Sequence, residues 1–355
     1  MIIMDEETIK LGQGAGGELM QKMLRDILLP GIRKSSSIEE GGLPPDLLDD
    51  SAAVDDVAFT IDGHTVWPLE FPGGDIGSLS VCGTVNDLAV VGAVPRALAL
   101  SFVIEEGLST ELLRRISETI GKASREAGVS VITGDTKVVE RGGIRSLVAT
   151  TAGIGFRHDN LSRCIELATR KENQSWLRDD SIRPGDHIIL TGSVGDHGIS
   201  LLSFREGYGF DTDLKSDVAP LNSLMDRAIT TGGVPASKDL TRGGLANGLN
   251  EWCSKSGFGI EISEEYIPLK PQVVSACDML GLDPFEIGNE GKAIIAVAEG
   301  FQEEVLSALR THPLGREASI IGKVVDKKPR VVMETEIGGR RIMDPPYGDP
   351  VPRIC

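Results

Sequence analysis

The sequence is short of positive charge: 36 Lys and Arg stand against 53 Asp and Glu in 355 residues, a formal net charge of -17. Such a balance repels nucleic-acid phosphates and anionic lipid unless a local basic patch overrides it. No such patch is visible, so neither nucleic acid nor membrane is expected as a partner. Long apolar runs are missing too, since no stretch approaches the roughly 20 residues of a membrane helix. Residues 1–10 carry acids early and no basic region leading into an apolar run, so no signal peptide is expected. Cysteine is scarce: Cys82, Cys164, Cys253, Cys277 and Cys355 are irregularly spaced and include no Cys-x-x-Cys pair. That argues against a zinc knuckle or a disulfide framework. The five histidines, His64, His158, His187, His197 and His312, show no metal-ligand spacing, and none lies in a nucleophile elbow. Internal repeats and low-complexity segments are absent. What remains is a cytoplasmic globular protein with reduced thiols.

Glycine, by contrast, is plentiful, with 43 residues that cluster beside acids. Glycine costs chain entropy and is retained where the backbone takes positive φ or approaches a ligand closely. With 40% hydrophobic and 25% charged residues, the length suggests about two domains. Short apolar runs at 57–61 and 98–104 read as strands. Across 108–127, Leu112, Ile116 and Ile120 recur four apart, which is helical spacing, with Ser109 or Thr110 to cap the start and Gly128 the end. Residues 129–133 read as a strand entering a loop Gly134-Asp135-Thr136-Lys137, and 146–154 as another strand. A polar stretch from 160 to 183 separates the halves, and Pro184-Gly185-Asp186 turns into an apolar strand at 187–190. A Gly-rich loop at 191–198 and a loop at 239–244 that opens a helix follow. In 344–355, Pro345, Pro346, Pro350 and Pro352 exclude a helix or a central strand, leaving an extended, exposed tail.

The chemistry-bearing pattern is the repeated union of glycine, asparagine or a second acid with aspartate: Asp49-Asp50, Asp62-Gly63, Gly73-Gly74-Asp75, Asn86-Asp87, Gly134-Asp135 and Gly195-Asp196. Carboxylates bind nucleotide phosphates through a bridging hard cation, and Mg²⁺ takes a few carboxylate oxygens along with phosphate and water. Taken singly, each pair is also an ordinary turn former. Gly12-Gln13-Gly14-Ala15-Gly16-Gly17 before a helical stretch can present amides to a phosphate, but it lacks the Lys-Ser/Thr of a P-loop and the strand of a dinucleotide fingerprint. Lys137 and Lys292 are candidates for stabilising a transferring phosphoryl group. Glu290, between apolar segments, is a candidate base with a raised pKa; the plainer alternatives are surface lysines and a salt bridge. Cys355 ends the proline-rich tail, and an exposed thiol there can be carried into a site or offered to a partner.

Leu48-Asp49-Asp50-Ser51-Ala52-Ala53-Val54, Phe71-Pro72-Gly73-Gly74-Asp75-Ile76-Gly77, Cys82-Gly83-Thr84-Val85-Asn86-Asp87-Leu88-Ala89, Thr133-Gly134-Asp135-Thr136-Lys137-Val138-Val139, Gly195-Asp196-His197-Gly198, Asp239-Leu240-Thr241-Arg242-Gly243-Gly244-Leu245, Asn289-Glu290-Gly291-Lys292 and the ending Pro352-Arg353-Ile354-Cys355 resemble, in order and over nearly the whole chain, the HypE family of hydrogenase maturation factors. These are carbamoyl dehydratases of the aminoimidazole ribonucleotide synthetase-like superfamily. The ending is the most specific motif, because selenophosphate synthetase and thiamine-phosphate kinase share the Asp-rich ATP site without the terminal cysteine. Gln13 and Ala15 depart from the histidine and serine common in the family, and glutamine can donate to phosphate but cannot titrate near neutral pH.

The resemblance implies an α/β (α+β layered), two-domain aminoimidazole ribonucleotide synthetase-like fold: 1–165 for ATP binding and dimerisation, 166–343 as a second α/β domain, and 344–355 as the tail. It implies a homodimer paired through N-terminal sheets, with ATP and Mg²⁺ as cofactors. It also implies a reaction in which a carbamoyl group, placed on Cys355 by the carbamoyltransferase HypF, is dehydrated to a thiocyanate. The cyanide then passes to iron on a HypC-HypD complex. Cys355, Lys137, Glu290 and Asp87 are the implied catalytic residues. Asp49, Asp50, Asp62, Asn86, Asp87, Gly134, Asp135, Lys137 and Asp239 are implied for ATP, and Asp50, Asp87 and Asp135 for the metal. Two other readings stay open: a small-molecule ATP-dependent synthetase or kinase with Cys355 incidental, and a nucleotide-regulated scaffold.

Overall fold

The computed structural model describes residues 8–14, 17–32, 42–43, 47–168, 174–206 and 213–346. Two short helices, α1 (Gly17–Met23) and α2 (Leu29–Ile32), precede the first sheet. That sheet is built from β1 (Ala52–Val54), β2 (Val57–His64), β5 (Ala93–Glu105), β6 (Ser130–Val139) and β7 (Leu147–Arg157), in the order β1-β2-β7-β5-β6. A small ribbon, β3 (Glu70–Phe71) with β4 (Gly74–Asp75), leads into α3 (Ile76–Val90). Helix α4 (Thr110–Ala127) carries the chain from β5 to β6, which therefore pair in parallel, as a crossover connection requires.

Local chemistry explains both helices. Asp75 caps α3 through a capping box with Ser78, each side chain taking the other's backbone N–H. Ser109 accepts from the Leu112 amide at the start of α4, and Gly128 closes it in the left-handed region at φ 70. Helix α3 is apolar on nearly every side and is buried accordingly. Leu79 and Val85 join a core with Ile116 and Ile120 of α4, while Leu88 to Val90 join another with residues of the second half such as Leu224 and Ile295.

After α5 (Leu161–Leu167), the second sheet gathers β8 (His187–Leu190), β9 (Ala236–Asp239), β10 (Gly259–Ser263), β11 (Ala293–Val297), β12 (Ser319–Val325), β13 (Val331–Glu334) and β14 (Arg340–Met343). Their order is β14-β13-β10-β12-β8-β11-β9. Helices α6 (Asp196–Glu206), α7 (Asn222–Thr231), α8 (Gly244–Ser256), α9 (Pro271–Leu280) and α10 (Gln302–Arg310) complete this half. The α/β class expected from the sequence is the one observed.

Residues 134–137 correct one expectation. They lie inside β6, not in a loop, with Gly134, Asp135, Thr136 and Lys137 opposite Leu100, Ser101, Phe102 and Val103 of β5. The ladder continues past Gly134 because no side chain stands in the way: a methyl group there would meet the Leu100 carbonyl oxygen inside contact distance. Substitution Gly134→Ala should therefore loosen the β5–β6 edge and cost roughly 1–3 kcal/mol, as overpacking does. Chemical denaturation checks this, and an unchanged midpoint would show that the strands can separate freely there.

Candidate active site

Six separate stretches deliver carboxylates to one cavity of about 270 Å³, α8 among them with Glu251. Asp49 and Asp50 come from the turn before β1, Asp62 from β2, Asp87 from the last turn of α3, Asp239 from the end of β9, and Glu290 from the segment before β11. The antiparallel register that sets Ala293 opposite Asp239 brings the Glu290 segment beside Asp239. The Thr60 hydroxyl, one strand position from Ile61, lies 2.9 Å from Asp87 Oδ2 and 3.1 Å from the Asp50 carbonyl oxygen, tying β2 to both.

Electrostatics sets this cavity apart from an ordinary cluster of turns. Burial pushes Asp87, Asp239 and Glu290 well above the usual carboxylate range, and neighbouring acids push them further: Asp239 and Asp62 act on both Asp87 and Glu290, and Asp50 on Asp239. Asp87 also sits at the negative end of the α3 dipole, which adds to its cost as an anion. Asp50 is raised by burial against the pull of Lys238, and Asp49 is raised by burial and the Asp179 charge to about 7. Asp49 Oδ2 and Asp239 Oδ2 are buried without a hydrogen-bond partner. The cavity thus asks for positive charge.

A hard divalent cation fits that demand chemically, because every acidic donor is oxygen. Among the described residues, however, no three His, Cys, Asp or Glu close on one point as a ready-made cage. Asp50, Asp62, Asp87 and Asp239 could share a magnesium ion only if further oxygens, such as phosphates and water, filled its remaining positions.

Not every residue singled out in the sequence reaches the cavity. Asn86 is buried and its amide is consumed by backbone: it accepts from the Leu221 amide at 2.7 Å and donates to the Ala219 and Glu290 carbonyls at 3.1 and 3.3 Å. It pins the Glu290 segment instead of lining the cavity. Gly134, Asp135 and Lys137 stand on the exposed edge strand β6, where Lys137 pairs with Asp135, and none of them borders the cavity of its own chain. Lys292 is matched to buried Asp217 at 3.2 Å. Of the Asp-Gly pairs, Asp75 is a helix cap and Asp196 an ion-pair partner of Lys270 at 2.6 Å. Cys355 lies outside the described residues, as do Ala15 and Gly16. Conversely, His64, Lys238, Arg242 and Glu251 line the cavity although they were not singled out. Lys238 had a signal in its position beside Asp239; Glu251 lies in mid-helix with none.

Two adjacent family models match this chain: the AIR synthase related protein N-terminal domain over residues 48–156 and the C-terminal domain over 183–334. A hydrogenase expression/formation protein of Methanocaldococcus jannaschii is 47% identical, with 96% of this chain and 98% of that protein covered. The carbamoyl dehydratase HypE of Rhizobium leguminosarum is 45% identical, with 98% and 95% covered. The chain belongs to the HypE family of carbamoyl dehydratases. Solved HypE structures agree in fold. HypE from a HypE-HypF complex superposes with a TM-score of 0.81 at 38% identity, covering 90% of this chain and 100% of that one. HypE crystallised with ATP gives 0.78 at 38% identity, covering 98% and 100%.

The raised acid groups make stability depend on pH in a definite direction. A carboxyl whose folded pKa lies near 7 binds its proton more tightly folded than unfolded, so folding is favoured as pH falls from about 7 towards 4, by at most about 1.4 kcal/mol per pH unit for one group. Asp179, shifted the other way, loses its contribution only as pH falls below the unfolded carboxylate value and leaves this window untouched. The ligand-free protein should melt at higher temperature at pH 5 than at pH 7, and Asp49→Asn should flatten the profile. A wild-type melting temperature independent of pH would contradict the assignment.

Proposed function

We propose that this chain catalyses the ATP-dependent dehydration of an S-carboxamide on Cys355 to an S-cyanide, supplying the cyanide ligand for the iron of nickel–iron hydrogenase. The observation that carries this reading is where the described chain leads. Pro346 packs against Gly17, which lines the acid cavity, and against Gly243, between the cavity residues Arg242 and Gly244. Cys355 lies nine positions beyond Pro346, and at about 3.3–3.6 Å each an extended chain spans about 30 Å, more than enough to enter the cavity. The other cysteines offer no competitor: Cys82, Cys164, Cys253 and Cys277 are all buried. Burial pushes Cys164 up to about 11 and Cys253 and Cys277 to about 12, far from the thiolate form.

An amide oxygen is a poor leaving group, and ATP is consumed to change that. The carbamoyl oxygen attacks the γ-phosphorus; the new O–P bond forms as the bond to ADP breaks, and one proton leaves the nitrogen. The C–O bond then breaks with phosphate as leaving group, the second nitrogen proton leaves, and the nitrile is complete. Glu290, with its high proton affinity, is assigned as the acceptor for an amide proton. Asp49, Asp50, Asp62, Asp87 and Asp239 are assigned to the nucleotide, with Asp50 and Asp87 as metal ligands. Asp50 and Asp87 would hold magnesium, which would supply positive charge against the repulsion between carboxylates and phosphates. HypF is the partner that loads the carbamoyl group and a HypC-HypD complex the acceptor, all in the cytoplasm.

Gly134, Asp135 and Lys137 join this scheme through a homodimer. The outer face of the first sheet exposes Val57, Phe59, Ile61, Val94 and Phe156, an apolar surface that pairing with a second copy would cover. In that arrangement β6 of one chain supplies Lys137 to the cavity of the other. Mixing Lys137→Ala with Glu290→Ala protein, each inactive alone, should then restore about one quarter of wild-type turnover, the statistical share of intact composite sites. No recovery after proven subunit exchange would place Lys137 in its own chain's site or outside the mechanism.

The reaction itself is read by mass spectrometry of the C-terminal peptide in two stages. HypF with carbamoyl phosphate should add one carbamoyl group to Cys355, and after nucleotide removal only fresh Mg-ATP should strip one water from it. A peptide left unmodified by competent HypF would move the small-molecule synthetase reading to first place.

A further inference from the structure

Behind the cavity lies a network of buried charges that neither the proposed chemistry nor the sequence motifs account for. Lys238 on β9 extends its ammonium to Asp50 Oδ1 at 2.6 Å, Glu251 Oε2 at 3.2 Å and Asp179 Oδ2 at 3.4 Å. Lys255 on α8 reaches Asp179 Oδ2 at 2.6 Å, the Leu48 carbonyl oxygen at 2.7 Å and Asp49 Oδ1 at 3.1 Å. Asp179 also accepts from the indole N–H of fully buried Trp252 at 2.7 Å, which fixes the orientation of its carboxylate. Neither Asp179 nor Lys255 lines the cavity, and Asp179 is only 2% exposed.

The target of this network is a strained turn. Leu48 takes φ 51, a left-handed conformation that a branched, non-glycine residue adopts at a cost. It immediately precedes Asp49 and Asp50, two of the four acids that the first half of the chain sends to the cavity. Both lysines and Asp179 belong to the second half, so the contact registers one half against the other. Asp179 is where both lysines meet. Without its charge, two ammonium groups would face each other across the space it occupies, and their repulsion would displace them from the positions in which they meet Asp49 and Asp50.

We propose that Asp179 is a positioning residue for the nucleotide site: through Lys238 and Lys255 it holds the Leu48-Asp49-Asp50 turn in the geometry that receives the metal–nucleotide complex. The inference rests on the reading of Asp49 and Asp50 as nucleotide-side acids, which Asp50→Asn tests separately. Outer partners of metal-site ligands typically govern affinity by about 10- to 100-fold, and that is the scale expected here.

The test is binding of magnesium with a non-hydrolysable ATP analogue to the full-length protein, measured by calorimetry for wild type, Asp179→Asn, Lys255→Met and the double variant. Each single change should weaken binding at least about tenfold, and the double should be no weaker than the worse single, because both cut the same link. Should Asp179→Asn not fold, Lys255→Met against wild type carries the same expectation from the other side of the link. Wild-type affinity in either single variant, or losses that multiply in the double as independent destabilisation would, overturns the proposal. Asp50→Asn that binds as wild type overturns the nucleotide reading of Asp50 itself, a result distinguishable from both.

Discussion

Mutual repulsion among carboxylates crowded into one buried cavity is the constraint on which the rest of the molecule turns. Burial raises the proton affinity of Asp50, Asp87, Asp239 and Glu290 by denying them water, and neighbouring acids raise it further, Asp50 at Asp87 and Asp239, and Asp239 at Asp87 and Glu290. Such an arrangement is unfavourable for stability on its own and persists only if the surrounding fold over-determines it. The fold does so with two sheets, one on each side, whose strands and helix ends aim acids inward from opposite halves of the chain. Internal cations cancel only part of the charge, since Lys238 and Lys255 face Asp49, Asp50, Asp179 and Glu251 together.

Second to the acids themselves are the groups that hold their backbone. Glu290 sits in a segment pinned twice: its amide donates to Asp217 Oδ1 at 3.0 Å, and its carbonyl accepts from Asn86. Lys292 neutralises Asp217 from the far side, so this pair works on Glu290 from outside the cavity. Residues that look catalytic by type and neighbourhood, an asparagine beside Asp87 and a lysine two after Glu290, thus serve by fixing where the true cavity residues point. Sequence adjacency to a functional acid is weak evidence of contact with ligand, because a buried polar side chain must first satisfy itself.

This distinction explains what was legible in the sequence and what was not. Helix α4 was readable because it is amphipathic and capped by Ser109 and Gly128, and β8 because it is an apolar run between a turn and a Gly-rich loop. Helix α3 has no contrasting face: buried against the sheet, α4 and the second half, it loses the period that would announce it. Glycine at 134 signalled a loop by composition, yet there it permits close approach of two strands, which composition cannot express. Asp49, Asp50, Asp62 and Asp87 could be listed from pairs that join aspartate to glycine, asparagine or a second acid. Which pairs are caps, which are ion pairs and which share a cavity depends on register between β9 and β11 and on the path of Leu48, and both are tertiary facts.

One consequence concerns how the cavity is finished. In the proposed reaction a water molecule near the activated carbamoyl group would compete with nitrile formation by attacking the carbon, so the acids must work in a site closed to solvent. Yet a permanently closed site could neither load a carbamoyl group from a separate enzyme nor surrender cyanide to another. A cavity left open in the single chain, with glycines 17 and 243 at its rim against Pro346, resolves the conflict if the chain end that carries the substrate is also the stopper. On that reading, substrate arrival would complete the desolvation that strengthens electrostatic interactions at Glu290 and its neighbours, and departure would restore access. Glycine is required at 17 and 243 for the same approach, because a Cβ at either would occupy the path on which Pro346 lies.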